Sequence, residues 1–328
     1  MGPLRTLALA IACATIGYFS GTHRSSAAEP PYPNKSIRLL VGAAPGGPND
    51  LVARIVAPPW AEALAGTIVV DNRAGATGMI ATEIVARSAP DGYTLLVGYP
   101  GPLIIAPLLG EKTGYDALRD FAPISLAVSA PFVLLINPNV PAKSLQELVA
   151  LGKSRPGKLN YASGGVGQSS HMAMELFKLV AGIDLVHVPY KGAGPGMTAV
   201  LASEVNAIFA AIPAALPHLR PEKLRAVAVG GTRRSPLLPE IPTIRESGYA
   251  VDASSWYGML GPHATPAQII TRLHATLART MSAPAMRNRL LDNGFEINAS
   301  SPEEFAAHLR SEMATWRKVI AAAGLKRE

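Results

Sequence analysis

Short aliphatic and β-branched runs alternate with longer stretches of helical period along most of the chain. Residues 37–41, 67–70 and 94–97 predict strands, and residues 49–65 and 77–88 between them predict helices. A βαβα order of this kind predicts an α/β fold with a mostly parallel sheet. The order restarts with a strand at 132–136, a helix from Ser144 and a strand-like start at Asn160. It continues with strands at 184–188, 207–212 and 224–229. One sheet rarely absorbs so many strands, so the pattern predicts two lobes. The chain is expected to cross between them near Ser129 and again near Asp252. That gives residues 29–129 and 253–328 to the first lobe and residues 130–252 to the second.

The last quarter reads as helix. Thr265-Pro266-Ala267-Gln268 and Ser301-Pro302-Glu303-Glu304 both predict capping boxes with proline in the first turn. Ile269, Ile270, Leu273, Leu277 and Met281 keep helical spacing, as do Phe305, Leu309, Met313, Trp316 and Ile320. Both stripes are expected to face the core. Pro58 and Pro59 predict a kink or an early stop in the first helix.

Composition narrows the class. With 328 residues, 48% hydrophobic and 16% charged, the chain can bury a core and is not of disordered type. Arg5, the apolar residues 7–19 and Ser26-Ala27-Ala28 read as an export signal over residues 1–28, with the mature chain starting at Glu29. An uncleaved anchor is the alternative, and lipidation at Cys13 is a third reading. Cys13 is the only cysteine, so the exported chain has no thiol, disulfide or cysteine metal site. Loss of Arg5 and Arg24 lowers the formal charge from +7 to about +5. Basic residues are scattered without aromatic interleaving, which argues against nucleic acid. The seven histidines are dispersed and form no H-E-x-x-H, so no metal or other cofactor is expected.

Four glycine-rich corners remain to be explained. The first, leaving a strand and opening a helix, holds Gly46, Gly47, Pro48, Asn49 and Asp50. The second holds Ala76, Thr77 and Gly78. Ser163, Gly164, Gly165, Gly167, Gln168 and Ser169 form the third, and Lys191 and Gly192 belong to the fourth. Glycine lets backbone approach a ligand, and a helix N-terminus offers free N–H groups with the positive end of its dipole. Such corners are anion sites without charged side chains, and in open α/β sheets ligands sit beyond the strand ends where these loops lie. The helices from Ser144 and Ser301 carry a glutamate for their own first turn, whereas the helix after Gly167 has no acidic residue before Glu175.

Other chemistries fit less well. A simple cap by Ser169 or Ser170 is the alternative reading of the third corner. Ser169, Ser170 and His171 lack a G-x-S-x-G elbow, and neighbours on a helix point apart, so a nucleophile and base are not expected. His171 is expected to pack or hydrogen-bond locally. Gly165-Val166-Gly167 lacks a third glycine, and no G-K-[ST] is present, which argues against a nucleotide. Asp50 and Asp71 are candidates for a ligand amine, and a first-turn carboxylate favoured by the helix dipole is the alternative for Asp50.

The ordered set of motifs resembles the Bug family, the periplasmic solute receptors of tripartite tricarboxylate transporters. The set runs from Tyr32-Pro33-Asn34-Lys35-Ser36-Ile37-Arg38 to Pro45-Gly46-Gly47-Pro48-Asn49-Asp50-Leu51-Val52-Ala53-Arg54 and residues 70–78. Residues 163–171, 189–195, 241–249 and Trp256-Tyr257-Gly258 complete it. The chain departs from the family pattern at Gln168, where Thr or Ser is usual. It also departs at Ala199 and Asn206, where acids are common, and at Pro58-Pro59. The resemblance implies a two-lobed periplasmic-binding-protein (Venus flytrap) fold with two crossover segments. It implies a monomeric receptor that closes over a small organic acid, held by backbone amides and waters, and passes it unchanged to membrane permease subunits. A periplasmic sensor with the same pocket, and a two-lobed α/β enzyme, are the alternative readings.

Overall fold

The structure, a computed structural model, describes residues 32–190, 192–219 and 222–325. The expected signal over residues 1–28, Cys13 and Lys191 lie outside the described residues. The chain opens with β1 (Ile37–Val41), α1 (Pro48–Leu64), β2 (Ile68–Asn72), a 3-10 turn (Ala76–Gly78) and α2 (Met79–Ala86). Then come β3 (Thr94–Gly98), a π-helical turn (Gly101–Ile105), the short α3 (Ala106–Leu108) and the long β4 (Phe121–Ile136). The middle of the chain holds α4 (Leu145–Ser154), β5 (Leu159–Ser163), α5 (Ser169–Ala181), β6 (Leu185–Pro189), α6 (Ala193–Leu201), β7 (Ala207–Ala211), α7 (Ile212–Leu219) and β8 (Arg225–Val229). It ends with β9 (Ser254–Pro262), α8 (Ala267–Ser282), α9 (Pro284–Asp292), β10 (Glu296–Ile297) and α10 (Pro302–Ala322).

Two sheets share β4. In the first, β1 pairs in parallel with β2 and β3, and β9 runs antiparallel to β3 and to residues 121–131 of β4. In the second, residues 132–136 of β4 run antiparallel to β7 and β8, while β5 is parallel to β6 and β7. Each sheet is apolar on both faces. Trp60, Leu273 and Leu277 pack on one face of the first sheet, and Phe305, Leu309 and Trp316 on the other. Phe177 and Leu148 cover one face of the second sheet, with Val200 and Ala215 on its other face. Near-continuous hydrophobic strands are what burial on both faces requires.

Several sequence expectations need correction. α1 runs unbroken through Pro58 and Pro59. Its Trp60 is fully buried and donates through Nε1 to Thr276 Oγ1 (3.0 Å) and Leu273 O (3.2 Å), so tertiary packing against α8 outweighs two lost backbone donors. The Thr265 capping box does not form. Thr265 Oγ1 instead donates to Pro262 O (2.7 Å), and α8 starts without a side-chain cap. The Ser301 box does form, with both reciprocal bonds to Glu304. α2 starts at Met79 rather than Thr77, because Ala76, Thr77 and Gly78 take φ of 46°, 55° and 92°. Of the α8 stripe, Leu273, Leu277 and Met281 are buried, while Ile269 and Ile270 are half-buried.

Candidate ligand-binding site

Strand ends place the corners. The first joins β1 to α1 and the second follows β2. The third joins β5 to α5, and the fourth joins β6 to α6. The first two are fused: a Cβ on Gly42 would lie 2.8 Å from Gly78 Cα, so only glycine permits this backbone approach. The Tyr99 hydroxyl spans both loops, lying 2.9 Å from Thr77 O and 3.2 Å from Gly42 O. The third and fourth corners are zipped by backbone. Tyr190 N–H donates to Ser163 O (3.0 Å) and Gly192 N–H to Gly164 O (3.1 Å).

The two pairs meet across the gap between the sheets. Thr77 and Tyr99 pack on Gly101 of the π-helical turn. That turn leads to Ile105 and Leu109, whose methyls lie where a Cβ on Gly167 would touch them (3.7 and 3.2 Å). Gly46 and Pro48 share a mainly apolar cavity of about 210 Å³ with Phe132, Ile212 and Tyr257. Residues from both sheets therefore surround one cleft.

Helix starts differ according to where they sit. α4 and α10 are capped by Ser144 and Ser301. α1, α2, α5 and α6 have no side-chain cap, and α2, α5 and α6 have no acidic residue in the first turn. α8 and α9 also lack side-chain caps, but they begin at the exposed prolines Pro266 and Pro284. At α1 the side chain of Asn49 is buried, and its Nδ2 has no partner.

Asp50, offered above as a contact for a ligand amine, is occupied internally. Its Oδ2 accepts from Gly46 N–H (2.9 Å) and Arg54 Nε (2.9 Å), and its Oδ1 accepts from Asn72 Nδ2 (3.0 Å). Burial pushes this carboxyl up, but those hydrogen bonds outweigh it and hold the pKa below the ordinary value. Asp50 therefore shapes the first corner. Asp71 is likewise held low, first by the Arg38 guanidinium and then by Arg73, at 2.7 and 3.0 Å.

In the third corner neither candidate serine caps α5. Ser170 Oγ accepts from Gly164 N–H (3.3 Å), Ser169 is half-buried, and the N-cap residue Gln168 is exposed. His171 Nδ1 accepts from Gly167 N–H (3.1 Å), the local role expected of it. Its ring stacks on His187 at 4.0 Å, and His187 lies next to Tyr161 at 4.9 Å. Tyr161 bonds Glu175, which also binds Lys178. Burial, with the His187 charge second, lowers the His171 pKa to about 4, and burial lowers His187 too. Ser163 Oγ lies 2.6 Å from His187 Nε2 but is fully buried, and it accepts Gly165 N–H (3.1 Å). That pair supports the loop from beneath and does not present a nucleophile to the cleft.

Tyr99 and the β7–α7 turn at Ile212 border these loops and were not singled out by sequence reasoning, which had Asn72 only as the start of the second corner. A tyrosine directly after the β3 glycine, Gly98-Tyr99-Pro100, is the one sequence signal among them.

Comparison with known proteins identifies the family and the fold. The sequence model described as "Tripartite tricarboxylate transporter family receptor" matches residues 52–325. Protein BugT of Bordetella pertussis is 34% identical over 317 residues, covering 95% of this chain and 97% of BugT. An R. palustris protein solved with adipate superposes with a TM-score of 0.77 at 32% identity, over 90% of this chain and 99% of that one. MatC from Rhodopseudomonas palustris with bound malate gives a TM-score of 0.72 at 32% identity, over 88% of this chain and all of that one. The fold is thus the two-lobed α/β fold of periplasmic binding proteins. The chain belongs to the tripartite tricarboxylate transporter receptor family.

Proposed function

We propose that the protein is a periplasmic receptor that captures a small carboxylate-bearing solute between its lobes. It then delivers the solute unchanged to the permease subunits of a tripartite tricarboxylate transporter. The observation that carries this reading is a cavity bordered by both sheets where the uncapped α1 opens at Gly46 and Pro48, together with the uncapped starts of α2, α5 and α6 after the other three corners. Residues 29–129 and 253–328 form one jaw and residues 130–252 the other, working as a monomer. On the first jaw the ligand contacts come from the side chains of Asn49 and Thr77 and the loop backbone at Gly47 and Ala76, with Pro48 on the apolar wall, while Gly46 and Gly78 hold the loops in shape through their N–H bonds to Asp50 and Gly75 O. The other jaw contributes Gln168 and Ser169 where α5 opens, with Gly164, Gly165, Gly167 and Gly192 shaping the loops through their internal bonds, Ser163 buried beneath them, and Lys191 a candidate from the sequence alone. Asp50 acts by holding the first loop in shape.

A hydrogen bond to a charged group contributes about 1.5–3 kcal/mol. Micromolar affinity needs about 8 kcal/mol. A handful of aimed amides meets that requirement after ordering costs, with no cationic side chain. Contacts from both jaws exist together only in the closed form, so the ligand favours closure. The apolar wall near Pro48 and Phe132 suits a carbon chain behind the carboxylate. Adipate and malate, the molecules bound to the relatives described above, are the first solutes to test.

The test is a thermal-shift screen of organic acids on residues 29–328, with Gly47→Leu in parallel. Gly47 has an extended φ of −76°, and a Cβ there meets nothing nearer than 3.6 Å, so the variant should fold. A ligand at a hundred times its Kd stabilises by about 2.7 kcal/mol, a rise of about 4 °C for a chain of this size. One acid should give that shift in the parent and none in Gly47→Leu. An equal shift in both proteins would contradict the site.

A further inference from the structure

A second cavity, of about 380 Å³, lies behind the strands that join the lobes. Ser254 and Trp256 of β9 line it, whereas Ser255 and Tyr257 line the front cavity beside Pro48. Glu296 faces the rear and Phe295 the front. Successive strand side chains point to opposite faces, so the two cavities occupy opposite sides of the same crossover. Leu176 and Arg245 bring the second lobe to the rear wall, so an occupant touches both lobes.

The rear wall is rich in negative charge. Asp252, Glu296 and Glu312 line it against the single guanidinium of Arg245. Glu312 Oε2 is engaged, accepting from the indole N–H groups of Trp316 (2.8 Å) and Trp256 (3.1 Å). Glu296 differs. It is only 9% exposed, its Oε2 lies 3.7 Å from Arg233 Nε, and its buried Oε1 has no partner. His308 Nε2, on the same wall, is also buried without a partner. Burial raises the pKa of both Asp252 and Glu296. Buried polar atoms are rarely left unmatched, because each costs the desolvation it never recovers.

The missing donor has a recognisable chemistry. Among the described residues no group of three His, Cys, Asp or Glu side chains is arranged to hold a metal ion. Trp256, Trp316, Leu126 and Leu176 give the wall an apolar side, opposite hydroxyl and amide groups such as those of Ser129, Thr232 and Asn298. An N–H-bearing cation with a short aliphatic body matches both parts. We propose that this rear cavity is a binding site for a small organic ammonium ion, whose N–H groups bond Glu296 Oε1 while its carbon chain lies along the tryptophans. The site is distinct from the front cleft that holds the solute.

Three tryptophans make the test local. Indole N–H resonances are followed by NMR in protein labelled with 15N-tryptophan during titration with n-butylammonium chloride or 1,4-diaminobutane dihydrochloride. Sodium chloride at matched ionic strength is the control. Trp256 and Trp316 should shift saturably. Trp60, bonded to Leu273 and Thr276 away from this wall, should stay still and report the intact fold. Glu296→Gln, or Asp252→Asn if the first variant loses its fold, should weaken binding roughly tenfold or more, as loss of a charge-assisted bond predicts. Absence of a saturable shift at millimolar amine would overturn the proposal, leaving ordered water as the occupant. So would an equal response to sodium chloride, or full affinity in both variants.

Discussion

The Tyr99 hydroxyl lies within reach of two carbonyls in two different loops, Thr77 O and Gly42 O, and fixes the distance between the first and second corners. Tyr99→Phe should lower stability by about 1 kcal/mol and weaken ligand binding while leaving the fold intact. Denaturant titration and calorimetric binding measure the two effects. Asp50→Asn should be more harmful, by about 1–3 kcal/mol, because one of its three donors would then face an amide N–H₂. The stacked pair His171–His187 makes a prediction in pH. Its folded pKa values lie below the unfolded value of about 6.5, so the unfolded chain binds more protons as pH falls. The stability contributed by neutral rings is complete above about pH 6.5 and is lost progressively toward about pH 4, where burial has set the His171 pKa. Melting temperature should drop between pH 7 and pH 5, and the drop should shrink in His187→Asn. An unchanged slope in that variant would remove the pair from the account. At this scale the glycines of the corners were legible because few residues tolerate such backbone. Tyr99 and the work of Asp50 were not, since both depend on partners tens of residues away.

Helix starts tell the same story at the scale of elements. α10 closes its own first turn with Ser301 and Glu304, and the sequence spelled this out in four consecutive residues. Ser301→Ala should cost about 1 kcal/mol in urea unfolding without changing ligand affinity. Thr265 carries the same spelling but turns to Pro262 O, because the β9–α8 bend brings that carbonyl to 2.7 Å. β4 was legible only in its second half. Its first half contains Pro123, and Pro131 stands where it changes sheets, and prolines suppress the pattern expected of a strand. The unbroken α1 shows the reverse case, in which burial of Trp60 and Leu64 overrides a local breaker.

At the scale of the molecule, the described residues pass between the sheets twice, in β4 near Pro131 and on the approach to β9 at Ala253. These passages are tied by Phe132 N–H to Ala253 O at 3.0 Å. A joint this narrow lets the lobes rotate as bodies around a solute. Small-angle scattering should therefore show a smaller radius of gyration once the solute is bound, and Gly47→Leu should abolish that change. The two-lobe plan was readable from repeated βα order. The contacts that fuse the corners were not, because Gly42 meeting Gly78 and Gly192 meeting Gly164 are long-range contacts. The most direct measurement is a crystal structure of residues 29–328 with the dicarboxylate that gives the largest thermal shift. The account predicts carboxylate oxygens within hydrogen-bond distance of backbone N–H groups opening α1 or α2 on one side and α5 or α6 on the other. A carboxylate held by side chains of one lobe alone, or seated away from these helix starts, would contradict it.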